Sequence, residues 1–280
     1  MNTLITALAT PYKDGKIDLE SYERLVQYQL DSGVDGLLAV GTTAEAQLLT
    51  KREKKQLIKS TKRLANDTPV WVGVGGSTPA EAIREARFAE RLGADGLLIA
   101  PPAFVKCTPA GYLLHINEVL NAVSVPVMLY NAPSRTNYTL NKDVIAELAN
   151  RVSYIKDAGR NLKYTANLST KLKLLCGNDK VLPDMLQAGA CGVVSVVSNV
   201  APNLTRKVLD GNVDDYELFT QLAKLSMLEV SPVAIKYMLY KKGIFTSYEM
   251  RLPLTAANEK TQKRIDKLWL ANTLTDCPQL

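Results

Sequence analysis

Gly33-Val34-Asp35-Gly36-Leu37-Leu38-Ala39-Val40-Gly41-Thr42-Thr43 is the stretch on which the fold turns. It opens on a glycine that stops the helical pattern of Asp18–Ser32, where Tyr22, Leu25, Val26 and Leu30 share one face and Asp18 stands at the N-cap position. It continues as an unbroken apolar run, Gly36–Val40, without the polar alternation of a half-exposed sheet; such runs belong to parallel strands covered on both faces. It ends on a glycine and two hydroxyls. The same order returns in Gly93-Ala94-Asp95-Gly96-Leu97-Leu98, after a segment that Thr78-Pro79 opens, with proline at the first helical position, and Leu92-Gly93 closes. Helix, stop and strand therefore form a repeated unit.

Working outward, the strand-like runs are Leu4–Ala9, Gly36–Val40, Val70–Val74, Gly96–Ala100, Val125–Tyr130, Val152–Lys156, Lys173–Cys176 and Gly192–Val196, eight in all. Most are separated by segments with apolar residues at helical spacing, so the pattern predicts an α/β fold: a single eight-stranded parallel (β/α)8 TIM barrel. Residues 1–201 are assigned to this catalytic barrel. Residues 202–280 are assigned to a C-terminal helical extension that includes the last barrel helix, with helices expected over Val213–Glu229, Pro232–Lys242 and Ala256–Ala271. An open, doubly wound sheet is the competing arrangement, but Gly73-Val74-Gly75-Gly76-Ser77-Thr78 lacks the third glycine of a dinucleotide fingerprint.

The 280 residues, 46% of them apolar, suffice for one large core. A net charge of +6 is spread among acids, and the densest run, Lys51-Arg52-Glu53-Lys54-Lys55, reads as a solvated helix face, so no nucleic-acid partner is expected. No run approaches the ~18 apolar residues of a membrane span, and Met1–Pro11 lacks a basic leader. Cys107, Cys176, Cys191 and Cys277 form no CxxC pair and read as thiols of a reducing compartment, which gives a cytoplasmic expectation. The one histidine, His115, lies in a helical segment among Leu and Ile and is expected to be a satisfied helix residue. A zinc site built mainly from imidazoles is excluded, and neither a metal nor a cofactor is expected.

In a barrel, chemistry gathers where strands end at their C-termini. Gly41-Thr42-Thr43-Ala44-Glu45, after the second run, offers two hydroxyls and successive N–H groups to a carboxylate; it is equally consistent with an ordinary helix cap. Tyr130-Asn131-Ala132-Pro133-Ser134-Arg135-Thr136, after the fifth, joins a phenol that can shuttle protons to a guanidinium that can fork onto a carboxylate. Tyr154-Ile155-Lys156-Asp157-Ala158-Gly159 ends the sixth with a lysine; apolar walls would leave part of an inward Lys156 neutral and nucleophilic, whereas a strand-end lysine in solvent would do nothing. Together the three meet the needs of imine formation with a 2-oxo acid.

At these residues the chain resembles the dihydrodipicolinate synthase family, within the pyruvate-dependent class I aldolases that also include N-acetylneuraminate lyases. The likeness runs from Thr6-Ala7-Leu8-Ala9-Thr10-Pro11 through the three segments above to Ser231-Pro232-Val233-Ala234-Ile235-Lys236 and Arg251-Leu252-Pro253-Leu254. It implies that Lys156 forms the pyruvate imine, that Tyr130 and then Thr43 relay protons, and that Thr42 and Thr43 hold the pyruvate carboxylate. Gly177 and Val194 match positions that line the pyruvate pocket through backbone atoms, and Arg135 matches the arginine that receives the carboxylate of aspartate semialdehyde. The implied reaction condenses pyruvate with L-aspartate-4-semialdehyde to 4-hydroxy-tetrahydrodipicolinate in lysine and diaminopimelate biosynthesis, in a homo-oligomer, tetramer or dimer.

Two departures bear on that reading. Family synthases place two tyrosines in the loop after the fourth strand, one of them completing a neighbouring subunit's relay; here Ala103 and Phe104 stand there, and Phe104 carries no proton, which leaves Tyr112 as a possible substitute. At the positions of the family's lysine feedback site stand Ala46, Gln47, Lys51, Lys54, Ser77 and Ala103, with the acid kept as Glu81. Two lysines repel an ammonium ligand, so weak or absent inhibition by lysine is expected. A pyruvate-releasing lyase acting on another 2-oxo sugar acid and a catalytically impaired pyruvate-binding paralogue are the alternatives.

Overall fold

In the computed structural model, which describes residues 2–159, 161–164 and 172–271, every one of the eight apolar runs contributes a strand. In chain order these are β1 (Thr3–Ala7); a small hairpin of β2 (Tyr12–Lys13) and β3 (Lys16–Ile17); and then β4 (Gly36–Ala39), β5 (Val70–Val74), β6 (Gly96–Ile99), β7 (Val127–Asn131), β8 (Tyr154–Asp157), β9 (Lys173–Cys176) and β10 (Gly192–Ser195). All but the hairpin close into one parallel barrel in which each strand pairs with the next and β10 returns to β1, from Thr3 opposite Gly192 to Thr6 opposite Ser195. The hairpin escaped the sequence reading because two-residue strands carry no period; its turn, Asp14-Gly15, is left-handed at both residues.

Burial divides each strand by the two-residue period. Ile5, Leu38, Trp71, Leu98, Met128, Leu175 and Val194 form one cluster that fills the barrel, whereas Leu4, Leu37, Val72, Leu97, Leu129 and Ile155 belong to a second, between strands and helices. Two strands begin later than the apolar runs suggest. Pro126 has no N–H for a ladder, so β7 starts at Val127; Val152 gives its N–H to Leu148 in the preceding turn, so β8 starts at Tyr154.

The helices start where capping residues stand. Asp18 accepts from the Ser21 amide ahead of the helix Leu19–Asp31, and Thr78 and Glu81 form a reciprocal capping box at the head of Pro79–Arg91. After the last barrel helix, Pro202–Leu209, come Tyr216–Leu225, Val233–Lys241 and Glu259–Ala271. Ile235, Met238, Ile265 and Trp269 share the outer core with the barrel, and Val233–Lys241 is buried nearly all round. His115 is a correction: it is buried on the helix Pro109–Leu120, but its Nε2 finds no hydrogen-bond partner among the described residues, and burial, which disfavours the charged ring, lowers its pKa. Cys107, Cys176 and Cys191 are free thiols; Cys277 lies outside the described residues.

Candidate active site

Lys156 sits on the third residue of β8, and the period that turns Ile155 outward turns Lys156 into the barrel. Tyr130 is its partner on β7, and the Lys156 Nζ stands 4.7 Å from the centre of the Tyr130 ring. Both side chains are buried. Gly177, just past β9, leaves room for this lysine: a Cβ there would come within 3.0 Å of Lys156 Cγ and Cε. Val194 lies in the inner cluster on β10, beside the same mouth. The outward neighbours lock the two central strands together. Asp157 accepts from the Asn131 side chain and from the Gly159 amide, both at 2.8 Å, while Asn131 Oδ1 takes the Leu140 amide at 3.1 Å.

The Gly41–Glu45 segment is neither a capped helix nor an open loop. Thr42–Ala44 makes one 3-10 turn and Ala46–Leu48 a second, with Glu45 between them. Val40 and Glu45, on either side of the threonines, are left-handed at φ 54° and 57°. For side chains of this kind that conformation costs about 1–3 kcal/mol and persists only where the surroundings impose it. Thr43 is buried, and Thr42 and Gly41 line a cavity of about 230 Å³. Glu45 is a buried ion-pair partner, meeting Lys236 at 2.8 Å.

Sequence reading passed over Asp179, although the rule that singled out the other three sites, polar residues closing an apolar run, applies to Gly177-Asn178-Asp179 after β9. The carboxylate of Asp179 is buried and accepts the amides of Val196 and Val197 at 2.8 and 3.0 Å, which fixes the backbone just past Val194. Its Oδ1 is unpartnered among the described residues. Burial pushes its pKa up, opposed by the Ser195 hydroxyl, the two amides and the Lys156 charge.

The cavity is lined by Tyr130, Thr42 and Gly41 on the barrel side and extends outward to Gln47, Lys54 and Ala103. Lys156 and Thr43, both buried, are not part of that lining. Arg135, on the short helix Pro133–Thr136, is exposed at the rim, outside the cavity lining and with no ion-pair partner among the described residues. Tyr112 is fully buried against Tyr138, ring centres 4.8 Å apart, and is not part of the cavity lining. Phe104 projects wholly into solvent, 105% exposed, from a backbone at φ 63°. Of the positions at the expected feedback site, Lys54 pairs with Glu85 at 2.8 Å, Lys51 stands over the Phe88 ring, and Glu81 is spent on the Ser77 and Thr78 amides.

Set beside known proteins, the chain matches the dihydrodipicolinate synthetase family over residues 1–271. It is 34% identical over 280 residues to the 4-hydroxy-tetrahydrodipicolinate synthase of Rickettsia bellii, covering 95% of both chains, and 35% identical over 275 residues to that of Thermotoga neapolitana, covering 91% and 93%. Among solved structures, the dihydrodipicolinate synthase of Thermotoga maritima superposes with a TM-score of 0.91 at 32% identity, covering 98% of this chain and 99% of that one. A structure described as the first monomeric dihydrodipicolinate synthase variant superposes at 0.92, also with 32% identity, covering 98% and 97%.

Proposed function

From the premise that this chain belongs to the dihydrodipicolinate synthetase family, we infer that it is a lyase-class aldolase that condenses pyruvate with L-aspartate-4-semialdehyde to 4-hydroxy-tetrahydrodipicolinate, a step of amino-acid biosynthesis leading to diaminopimelate and lysine. The observation that carries the reading is the buried Lys156 amine, inside the barrel mouth and over the Tyr130 ring.

In this mechanism the Lys156 amine attacks the keto carbon of pyruvate, and the carbinolamine loses water to give an iminium. Loss of a methyl proton gives an enamine, whose terminal carbon attacks the aldehyde carbon of the second substrate. The amino group of that substrate then displaces Lys156 from the iminium, closing the ring and freeing the lysine. Tyr130 moves the protons, with Thr43 next in the relay. The hydroxyls and N–H groups of Thr42 and Thr43 hold the pyruvate carboxylate, and Gly177 and Val194 bound the pocket with backbone. Arg135 takes the carboxylate of the semialdehyde; its exposed, unpaired guanidinium supports that role.

Borohydride reduction in the presence of pyruvate, followed by peptide mapping, is expected to leave an adduct on Lys156 and none in Lys156→Ala, with condensation in a turnover assay. No adduct on Lys156 would sink the aldolase reading. An adduct without condensation would support a pyruvate-releasing lyase, the reading that Phe104 favours by removing a relay hydroxyl. We further infer a homo-oligomer, dimer or tetramer, supported by the exposed Phe104, Val105 and Leu114. Among the described residues no helix is long and apolar enough to cross a membrane, and the free thiols support a cytoplasmic location.

A further inference from the structure

Two sequence motifs play no part in the chemistry above, Ser231-Pro232-Val233-Ala234-Ile235-Lys236 and Arg251-Leu252-Pro253-Leu254, and their cations converge on one place. Lys236, midway along a helix whose other residues there are Ala234, Ile235, Tyr237 and Met238, reaches Glu45 at 2.8 Å with both side chains wholly excluded from solvent. Arg251 forks onto Glu53, one arm at 2.9 Å, and also donates to the Leu48 carbonyl at 3.1 Å. Both cations stand over the Tyr12 ring, at 4.2 and 4.4 Å from its centre. From the N-terminal side, the Thr10 hydroxyl donates to the Ala44 carbonyl at 2.9 Å. Ala44 and Glu45, which directly follow the two threonines, and Leu48, three residues further on, are thus each held by a residue far away in the chain.

We propose that Lys236 and Arg251 are positioning residues that lock the Thr42-Thr43 turn in the geometry that receives the pyruvate carboxylate. The inference rests on reading that turn as the carboxylate cradle. The turn does not hold itself, since left-handed Val40 and Glu45 flank the threonines and both would relax if released. Glu45 is also coupled directly to the cradle, because its amide donates to the Thr42 carbonyl at 3.0 Å, so a shift of one moves the other. From below, Gly73 packs so close that a Cβ would stand 2.4 Å from the Val40 carbonyl oxygen, which closes the downward route. A buried ion pair is a poor source of net stability compared with apolar packing, but it admits one orientation. Burial pulls Lys236 down to about 8 and pushes Glu45 up, each partner opposing the other's shift, so the pair is costly to place and specific once placed.

The test is the pyruvate concentration that gives half-maximal borohydride trapping on Lys156 in the full chain, measured beside the folded fraction from circular dichroism. In Lys236→Met that concentration is expected to rise about tenfold, as misplaced binding groups cause, while trapping at saturating pyruvate stays near the wild-type level and Lys236→Arg recovers part of the shift. Thr10→Val removes one hydroxyl and is expected to raise it about threefold, the loss of one hydrogen bond. Should Lys236→Met not fold, Arg251→Lys, which keeps the charge but loses the fork onto Glu53 and Leu48, decides by the same shift. Variants that melt earlier yet trap at the wild-type pyruvate concentration would overturn the proposal and leave a merely structural pair. An absent adduct in the wild type would instead overturn the aldolase reading, and the proposal with it.

Discussion

Tyr130 and Asp179 show how one mouth gives two residues opposite duties. The Tyr130 side chain lines the cavity and its ring faces Lys156, so Tyr130→Phe keeps the packing and removes only the hydroxyl proposed to carry protons. Steady-state kinetics should show kcat lower by about 10²–10⁴-fold, the usual worth of general acid–base help, with an unchanged melting temperature. Asp179 carries no proton in the proposed reaction, but its burial raises its pKa. An acid that holds its proton more tightly when folded stabilises the fold below its unfolded pKa and loses that contribution as pH rises through the folded value. The stability difference between wild type and Asp179→Asn should therefore fall as pH rises above about 4, the ordinary aspartate pKa. Urea melts of both proteins across that range check this; a difference that grows with pH would refute it. Lys54 and Glu81, at the expected feedback site, are already paired with Glu85 and with backbone amides. Little remains there to hold an amino acid, and added lysine should leave the condensation rate unchanged at millimolar concentration in an inhibition assay.

Among the elements, the seam between β1 and β10 tolerates least. A Cβ on Gly192 would lie 2.1 Å from the Thr3 carbonyl oxygen and 2.7 Å from its amide nitrogen, both backbone atoms of the paired strand. Gly192→Ala should thus cost about 3 kcal/mol in chemical denaturation, as forced overpacking does. Strands were the legible part of the sequence because each is buried on both faces and so reads as an unbroken apolar run; Thr78-Pro79 and Asp18 were legible because capping is chemistry within one turn. Lys156 and Tyr130 were singled out by the company they keep with Thr42-Thr43, since a strand-end lysine taken alone is common and reads as solvent-facing. What stayed hidden is contact across the chain. Nothing near Glu45 announces Lys236, which lies 191 residues away, and Tyr112 looked available until its ring was seen against Tyr138. Asp179 is different: its signal was local and was missed.

For the whole molecule, the surface at Phe104 stands out. Phe104 is fully exposed on a left-handed backbone, with its neighbour Val105 also in solvent. Light scattering after size exclusion should give the mass of a dimer or tetramer, and Phe104→Asp should shift it toward the monomer; a monomeric wild type would remove the role assigned to this surface. The closure of the barrel also sets a schedule for its synthesis. β1 finds β4 soon after emerging from the ribosome, but its other edge has no partner until Gly192–Ser195 has been made. Through most of translation the nascent chain therefore carries an open strand edge beside unfilled apolar surface, the kind of edge that recruits other chains. The period of greatest exposure to aggregation ends only when the eighth barrel strand arrives, and a delay in elongation before that point would lengthen it.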